Sequence, residues 1–475
     1  MQKDIKMRPG SRSMLPVMLL LVAAILCSLS AIASRPDGAP RQKWPDGKQY
    51  MYRVTLRDKQ PSAALLREPQ RFLSAKALER RRRQGISVDT LDLPVAATYV
   101  EELELHGRVS IVSRSRWNNS VVALAADTTA SERLRQMPFV SDVRLVWVSP
   151  DSIPEHPHRP KWHAELELRD TAVHSPYGVA AQQLEMLGGT KLHERGFRGQ
   201  GMTIAVLDAG FMNADLIPAL RDINLVGFSD FVVPASRSIF TEMEHGTQVL
   251  STMAVNKPGV YVGAAPDAEY WLLRCEDQLS EQPVEEDYWA AAAEYADSVG
   301  CDILSSSLGF TEYDAPFGCY AYSQQDGSQA LISRMASLVA SRGMVLVNSA
   351  GNEGMSAWKK ITFPADADEM LSVGAVTPER RNAGFSSVGP SADGRVKPDV
   401  MAQGSPTMVV TERGTLMAAQ GTSFACPLVA GLTACLWQEH LQLTARQIVQ
   451  LVRSISDNAQ HPDNVYGYGI PDFSR

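Results

Sequence analysis

The chain has 475 residues, of which 44% are hydrophobic and 21% charged, and this composition argues against a largely disordered or fibrous protein. At roughly 150 residues per domain, the length predicts about three units. There are 46 Lys and Arg against 53 Asp and Glu, and the net charge of −7 lacks the basic footprint expected of a nucleic-acid-binding protein. Six cysteines are too few for a small disulfide scaffold.

The first 33 residues have the order of a secretory signal peptide. Four basic side chains precede Leu15, an apolar run extends to Leu29, and small residues follow as far as Ala33. This order predicts a signal peptide over residues 1–33 and a protein that is secreted or resides in the periplasm or cell envelope, with no other membrane contact. An uncleaved anchor is the alternative, because the apolar run could just span a bilayer.

Five cysteines remain after residue 33, and none has the spacing of a zinc site. An odd number leaves at least one free thiol if any disulfides form. Each cysteine lies among apolar or small residues, so we expect the five to be mostly structural and unpaired.

Short strand patterns and two helical patterns predict a small α+β domain over residues 49–149, after a Pro- and charge-rich linker over residues 34–48. The expected strands are 49–56, 109–113, 121–125 and 143–148, and the expected helices are 73–84 and 127–136. A second linker, residues 150–176, follows. Its residues His156, His158 and His163 are interpreted as solvated linker residues rather than metal ligands, because no companion cluster accompanies them.

Two runs of charge allow more than one interpretation. Four consecutive arginines, residues 80–83, are typical of a processing site, an anion patch or a solvated helix face, and we favour the solvated face. Six acidic residues between Glu276 and Asp287 would either coat a solvated loop, which we favour, or select basic substrates.

Residues 177–475 show a different pattern, in which continuous apolar strands alternate with helices. The expected strands are 203–208, 268–273, 302–307, 343–350 and 370–376, and helices are expected at 287–300 and 328–343. This alternation predicts a parallel β-sheet covered by helices on both faces. Functional groups are then expected beyond the carboxyl ends of the strands.

Three residues with chemically useful side chains fit such positions. Asp208 ends an apolar strand, His245 begins a small-residue helix, and Ser423 lies in the helical pattern of residues 421–432. Pro427 is tolerated in that helix only in the first turn, which would place Ser423 at or next to the helix N-terminus, where backbone N–H groups favour negative charge. Each residue alone is a weak signal. Together they supply the nucleophile, the base and the orienting acid of acyl transfer, in one of the known chain orders.

Asn352 is a candidate donor to the oxyanion of that reaction. It follows the predicted strand 343–350 in the segment NSAGNEG, and its glycine neighbours let the backbone approach closely. One such side-chain donor contributes about 10²–10³-fold to the rate.

These segments resemble the signature blocks of the subtilisin family of serine endopeptidases. TIAVLDAGF, EHGTQV and GTSFACPLVAG resemble the family's Asp, His and Ser blocks in the family's order, and SAGNEG resembles its oxyanion segment. The resemblance covers roughly residues 177–473. It implies a subtilisin-like α/β fold and an endopeptidase that acts on protein or peptide substrates. It implies further that Asp208, His245 and Ser423 are the triad, and that Asn352 and the Ser423 N–H hold the oxyanion.

The segment SSLG resembles the family's strand that lines the S1 pocket. The resemblance implies that Ser307, Leu308 and Gly309 form strand-like hydrogen bonds with an extended peptide, and a buried strand end without this role is the alternative. Two positions depart from the family pattern, Ala209 in place of Ser or Thr and Cys426 in place of Ser, and neither change is expected to prevent catalysis. No cofactor is expected to be required. Family members often bind structural calcium, for which the sequence assigns no ligands.

Residues 108–146 resemble, more loosely, the inhibitory propeptide domain of the same family. This implies an autoprocessed precursor whose N-terminal domain is an intramolecular inhibitor and folding chaperone, since distant strand pairings fold slowly. A permanent accessory domain is the alternative. For the whole protein, the alternatives are a catalytically silent binding module of the same fold and another serine acyl hydrolase. The hydrolase is disfavoured because its usual motif is G-x-S-x-G with the order Ser, Asp, His.

Overall fold

The computed structural model describes residues 48–150 and 175–475, together with Arg41–Gln42, Ile153–Pro154 and Lys161. The predicted signal peptide and the three linker histidines lie outside the described residues. None of the described helices is long and apolar enough to cross a membrane. All elements from Tyr50 onward belong to one compact unit, residues 42–475.

The N-terminal region, residues 48–150, contains a four-stranded antiparallel sheet with two of its three helices packed in one apolar core with the sheet. Its strands are β1 (Tyr50–Leu56), β2 (Ser110–Ser115), β3 (Ser120–Ala125) and β4 (Val140–Val148), in the order β2-β3-β1-β4. Its helices are α1 (Ala75–Arg83), α2 (Ala97–Gly107) and α3 (Ala130–Arg135), with 3₁₀ turns at Gln60–Arg67 and Pro69–Arg71. The two helices in the core with the sheet are α2 and α3. The predicted α+β fold is confirmed, but α2 is an additional helix. It has no side-chain N-cap, so its start carried no sequence signal.

The arginine run ends α1, and its side chains have different surroundings. Arg80 and Arg81 are each 1% exposed and bond to groups of the C-terminal region, whereas the Arg82 side chain is 73% exposed and pairs with Glu79 at 2.7 Å. The interpretation as a solvated helix face is therefore wrong for Arg80 and Arg81.

The C-terminal region, residues 175–475, is built on a seven-stranded sheet in which all neighbouring strands are parallel. Its strands are β5 (Thr203–Asp208), β6 (Asn224–Asp230), β9 (Glu269–Arg274), β10 (Ile303–Ser306), β11 (Val345–Ser349), β12 (Leu371–Val376) and β13 (Val400–Gln403). Between β6 and β9 in the chain, the two-residue strands β7 (Asn256–Lys257) and β8 (Tyr261–Val262) pair with each other. The order across the sheet is β13-β12-β11-β10-β5-β9-β6. The five predicted strands are confirmed, and the two edge strands β6 and β13 are additional.

Helices cover both faces of this sheet, as predicted. They are α4 (Ala181–Glu185), α5 (Gly189–Glu194), α6 (Pro218–Arg221), α7 (His245–Ala254), α8 (Val284–Val299), α9 (Leu331–Val339), α10 (Thr422–Glu439) and α11 (Ala445–Ser454), with 3₁₀ turns at Tyr322–Gln324 and Ala340–Arg342 and the hairpin β14 (Thr407–Val410) and β15 (Leu416–Ala419).

Successive strand side chains enter two different cores, as the alternation of strand geometry requires. Along β5, Ile204 and Val206 pack with α7, α10 and α11, whereas Ala205 and Leu207 pack with α8 and α9. The second core also contains Trp117 and Trp147 from the N-terminal region. The two regions therefore share buried apolar surface.

The acidic run lies partly at the start of α8, where its side chains are buried rather than solvated. Glu285, Glu286 and Asp287 are only 1–2% exposed. The hydroxyls of Tyr313 and Tyr320 donate to Glu286 Oε1 at 2.8 and 2.7 Å, which satisfies this carboxylate inside the protein. The interpretation as a solvated loop coat is wrong for these three residues.

The five described cysteines are unpaired, as expected. Four are buried and Cys319 is exposed. Burial raises the pKa of the Cys426 thiol to about 12, so this side chain is an inert apolar filler.

Candidate active site

Asp208 and His245 meet at the carboxyl edge of the sheet. His245 Nδ1 lies 2.9 Å from Asp208 Oδ1 and 3.0 Å from Oδ2. Asp208 is fully buried, and the N–H of Ala209 donates to its Oδ1 at 2.8 Å. The His245 side chain is 29% exposed. The imidazole is thus oriented by a fixed carboxylate on one side and faces the surface on the other.

A close backbone contact joins the loop after Asp208 to the start of α7, which carries His245. A side chain at Gly246 would place its Cβ 2.3 Å from the Gly210 carbonyl oxygen and 2.9 Å from Asp208 Cβ. The buried Arg274, at the end of β9, donates from Nε to the Ala209 carbonyl at 3.0 Å. Its Nη2 also lies 3.5 Å from Glu242 Oε2, three residues before His245. Arg274 therefore ties the Asp208 loop to the start of α7, and sequence reasoning missed it.

Local charge favours the protonated form of His245. Burial alone would lower the pKa of the imidazole, but the charge of Asp208 and its hydrogen bond outweigh burial, and Glu276 and Glu244 add to the effect. Together they raise the pKa of His245 to about 9. The proton on Nδ1 is held by Asp208, which leaves Nε2 as the site of proton exchange.

Ser423 is the second residue of α10, so its position next to a helix N-terminus agrees with the sequence expectation. The reason given for it was wrong, because Pro427 is the sixth residue and lies beyond the first turn. A proline there removes the N–H that would bond to the Ser423 carbonyl. The hydroxyl of Ser307 replaces it and donates to Ser423 O at 2.9 Å.

The Ser423 hydroxyl itself is oriented toward β10. Its Oγ lies 3.4 Å from the Ser307 carbonyl oxygen, which is a long hydrogen bond. Within the described parts of the chain, no hydrogen bond of 3.5 Å or less joins Ser423 Oγ to His245. The next residue, Phe424, places its ring 5.8 Å from the His245 ring, which brings the start of α10 close to His245.

Asn352 lies beside the start of α10. Its Oδ1 accepts hydrogen bonds from the Thr422 N–H at 2.9 Å and from Thr422 Oγ1 at 3.0 Å. With the carbonyl end of the amide held by Thr422, which directly precedes Ser423, the Nδ2 end remains as a donor. This arrangement fits a group that donates to an oxyanion at the Ser423 side chain.

The remaining predicted residues form the segment after β10. Leu308 is 4% exposed, and its carbonyl accepts from Asn348 Nδ2 at 3.1 Å. A Cβ at Gly309 would lie 2.1 Å from Thr362 Oγ1, so this position admits only glycine. Substrate binding by Ser307, Leu308 and Gly309 stays a prediction. Asn348, which the sequence analysis left without a role in NSAGNEG, and Thr362, which lies outside the motifs, are neighbours of this segment.

The described residues contain no group of three or more His, Cys, Asp or Glu side chains that could hold a metal ion. The calcium sites that the family resemblance suggests stay without assigned ligands.

Comparison with known proteins gives two family matches. The profile of the subtilase family matches residues 199–469, which is more than half of the chain. That of the peptidase S8 propeptide domain of Bacteroidota matches residues 51–182. The chain is similar to subtilisin NAT of Bacillus subtilis subsp. natto, with 30% identity over 62% of this chain and 68% of the relative. It is also similar to subtilisin of Bacillus pumilus, with 30% identity over 58% of this chain and 88% of that protein.

Among solved structures, the chain is similar to the MycP3 protease from the type VII (ESX-3) secretion system. The TM-score is 0.52 at 22% identity, over 66% of this chain and 92% of that one, which shows a shared fold. The subtilisin-like fold expected from the sequence is therefore confirmed. With a subtilase match over more than half of its length, the chain belongs to the subtilase family of serine-type endopeptidases.

Proposed function

We propose that this protein is a secreted serine endopeptidase, made as an autoprocessed precursor, that hydrolyses peptide bonds through Asp208, His245 and Ser423. The observation that carries the proposal is the oriented pair of Asp208 and His245 beside a serine at a helix N-terminus. The neighbouring donor Asn352 supports it.

In the first half of the reaction, the Ser423 hydroxyl would leave the Ser307 carbonyl and turn toward His245 by rotation about its Cα–Cβ bond. As Ser423 Oγ bonds to the substrate carbonyl carbon, its proton passes to His245 Nε2. The carbonyl oxygen becomes an oxyanion held by Asn352 Nδ2 and the Ser423 N–H. The C–N bond then breaks, and His245 returns the proton to the leaving amine.

In the second half, water replaces the amine. His245 takes a proton from the water as it attacks the acyl-enzyme, and the oxyanion occupies the same two donors. Collapse of this second intermediate releases the acid, and the proton returns to Ser423. Asp208 orients the imidazole and stabilises its charged form throughout. Every proton transfer in this sequence uses side chains of the chain itself.

The N-terminal region would act as the intramolecular inhibitor and folding template. The propeptide match supports this role, as does the position of β4, whose last residues meet the catalytic region. The Val148 N–H donates to Gln282 Oε1 at 2.8 Å, and Gln282 Nε2 donates to Val148 O at 3.1 Å. The last residue of β4 is therefore bound to the catalytic region by two hydrogen bonds.

A fluorophosphonate probe tests the proposed chemistry. We expect mass spectrometry to find the probe on Ser423 in the wild-type protein and to find none in His245→Ala, because the serine then lacks its base. Ser454→Ala, which removes an exposed serine on α11, should label like the wild type. Labelling independent of His245, or none in the wild type, would favour the silent binding module.

Incubation of the purified precursor tests autoprocessing. Wild-type protein should lose roughly its first 150 residues, whereas Ser423→Ala should keep its full length. Equal cleavage in the two proteins would assign the cut to another protease.

The pH profile should reflect the charge around His245. Since general-base catalysis needs the neutral imidazole and its pKa is raised to about 9, kcat/KM should rise as pH increases above 7, reach half its maximum near pH 9 and level off about one unit higher. Burial raises the pKa of Glu276 to about 7, with the charge of Asp208 adding to it, so Glu276 is ionised near pH 9, where the profile has its midpoint. Removing its charge in Glu276→Gln should lower the pKa of His245. The acid limb of the kcat/KM profile should then shift to lower pH by about half a unit to one unit.

The rate profile of Glu79→Gln is the matched control. Glu79 is an exposed carboxylate on α1 and does not act on His245, so its loss should leave the limb in place. A limb that stays unchanged or moves upward in Glu276→Gln would contradict the electrostatic argument.

A further inference from the structure

The segment from Ser74 to Asp92, which we name the amino-edge segment, lies against the amino-terminal ends of the sheet strands. Its side chains reach the first residues of β5 and β9 and the residues just before β10 and β11. These contacts are Lys76 Nζ with Thr203 Oγ1 and with Glu269 Oε2 (2.8 Å), Arg80 Nη1 with Cys301 O, and Gln84 Nε2 with Gly343 O (2.8 Å). The segment thus spans four adjacent strands.

Gln84 also joins the sheet to the last helix. While its Nε2 donates to Gly343 O, its Oε1 accepts from the N–H of Ala445, the first residue of α11, at 2.8 Å. The side chain satisfies one backbone acceptor and one backbone donor that helix and strand termini leave without partners. The amino-edge segment therefore supplies hydrogen-bond partners to two backbone groups of the catalytic region.

A buried charge centre holds the same interface. Asp297 of α8 is fully buried and accepts from three arginines of the N-terminal region. Arg80 Nη2 donates to Oδ1 at 2.5 Å, and Arg81 Nη2 and Arg116 Nη2 donate to Oδ2 at 2.7 and 2.5 Å. Arg81 bonds in addition to Asp92 Oδ2 at 2.7 Å. Charge-assisted bonds of this kind, out of contact with water, are the strong ones.

This centre lies at the opposite edge of the sheet from the active site. Asp208 and Ser307 are at the carboxyl ends of β5 and β10, whereas Thr203 and Cys301 are at the amino ends. A substrate entering the cleft can compete with contacts near the carboxyl edge, such as the pair of Gln282 and Val148, but not with those of the amino-edge segment.

We propose that the N-terminal region stays bound to the catalytic region as a permanent non-covalent subunit after the chain between residues 150 and 175 is cut. The amino-edge segment is its anchor. Separation would break the bonds to Asp297 together and would expose Trp117 and Trp147 from the shared core. Such losses act mainly on the dissociation rate, because the buried charges must separate before water can solvate them.

The test uses the full chain with the Ser423→Ala change and a foreign protease site inserted within residues 155–160. The protein is cut by the added protease, diluted to submicromolar concentration in raised salt and applied to a size-exclusion column. We expect both fragments to elute together. Dissociation followed after dilution should be at least about 100-fold faster when Asp297→Ala is added, since three arginines then lose their acceptor.

Two further variants make the test specific. Arg82→Ala removes an exposed arginine of the same run, which pairs with Glu79 of the same helix, and should leave dissociation unchanged. The melting temperature of each uncut protein verifies folding, and if Asp297→Ala does not fold, Arg116→Met, which removes a single donor, takes its place. Separation of the parent fragments within minutes, or equal rates in all variants, would overturn the proposal. Because an added protease makes the cut in a chain without Ser423, a failure of the proposed catalysis does not affect this result.

Discussion

Asp208→Asn should lower kcat about 10⁴-fold with little change in KM. In the wild type, both carboxylate oxygens of Asp208 face His245 Nδ1, and Oδ1 also accepts the Ala209 N–H. An asparagine would keep its oxygen on Ala209 and turn its NH₂ group toward Nδ1. The imidazole would then carry its proton on Nε2 and could not accept one from Ser423.

The same substitution has a second signature in the pH profile. The charge of Asp208 and its hydrogen bond outweigh burial and raise the pKa of His245 to about 9, so their loss should move the acid limb of the residual activity well below pH 9. Steady-state hydrolysis of a chromogenic peptide across pH measures both effects. An Asp208→Asn enzyme with a kcat near the wild-type value would remove Asp208 from the mechanism.

Asp302→Asn is the matched control for this experiment. Asp302 is also a buried aspartate, 2% exposed, and accepts the Thr203 N–H at 3.0 Å at the amino end of β5. Its replacement should lower the melting temperature and leave kcat near the wild-type value. The comparison separates loss of orientation at His245 from general loss of stability.

Four of the five strands predicted for the C-terminal region, β5, β10, β11 and β12, are buried along their whole length. The apolar runs that form β5, β11 and β12 have every residue buried in the structure, and such runs have a clear signature. The edge strand β6 does not have this signature, because all its residues but the last are exposed or half-buried. The other edge strand, β13, has only four residues between Pro398 and Gly404, too few for a pattern.

In the candidate site, the sequence predicted the residues of local motifs but not their long-range partners. The blocks around Asp208, His245 and Ser423 are local in sequence, so motifs could find them. The bond from Ser307 Oγ to the Ser423 carbonyl joins residues 116 positions apart and compensates for Pro427, which no local pattern reveals. Burial of Arg80 and Arg81 likewise depends on Asp297, more than two hundred residues away. Long-range partners, rather than residue type, decided whether these charges were solvated.

Asn352→Ala is expected to lower kcat about 10²–10³-fold while KM stays nearly constant. The amide forms a much stronger hydrogen bond with the oxyanion than with the planar substrate carbonyl. Its loss therefore destabilises the transition state selectively. The two bonds from Thr422 to Asn352 Oδ1 fix the direction of Nδ2 before substrate arrives. This preorganisation is the reason that one neutral hydrogen bond has so large an effect.

Two neighbouring substitutions make this prediction specific. Asn352→Asp keeps the size and the acceptor but replaces the donor by a negative charge, and should lower kcat at least as much as Asn352→Ala. Thr422→Val removes the bond from Oγ1 and keeps the backbone N–H, so the amide is held by one bond instead of two and the loss should be smaller, about tenfold or less. If KM rose and kcat stayed constant in Asn352→Ala, the side chain would bind the ground state, and the oxyanion would depend on other donors.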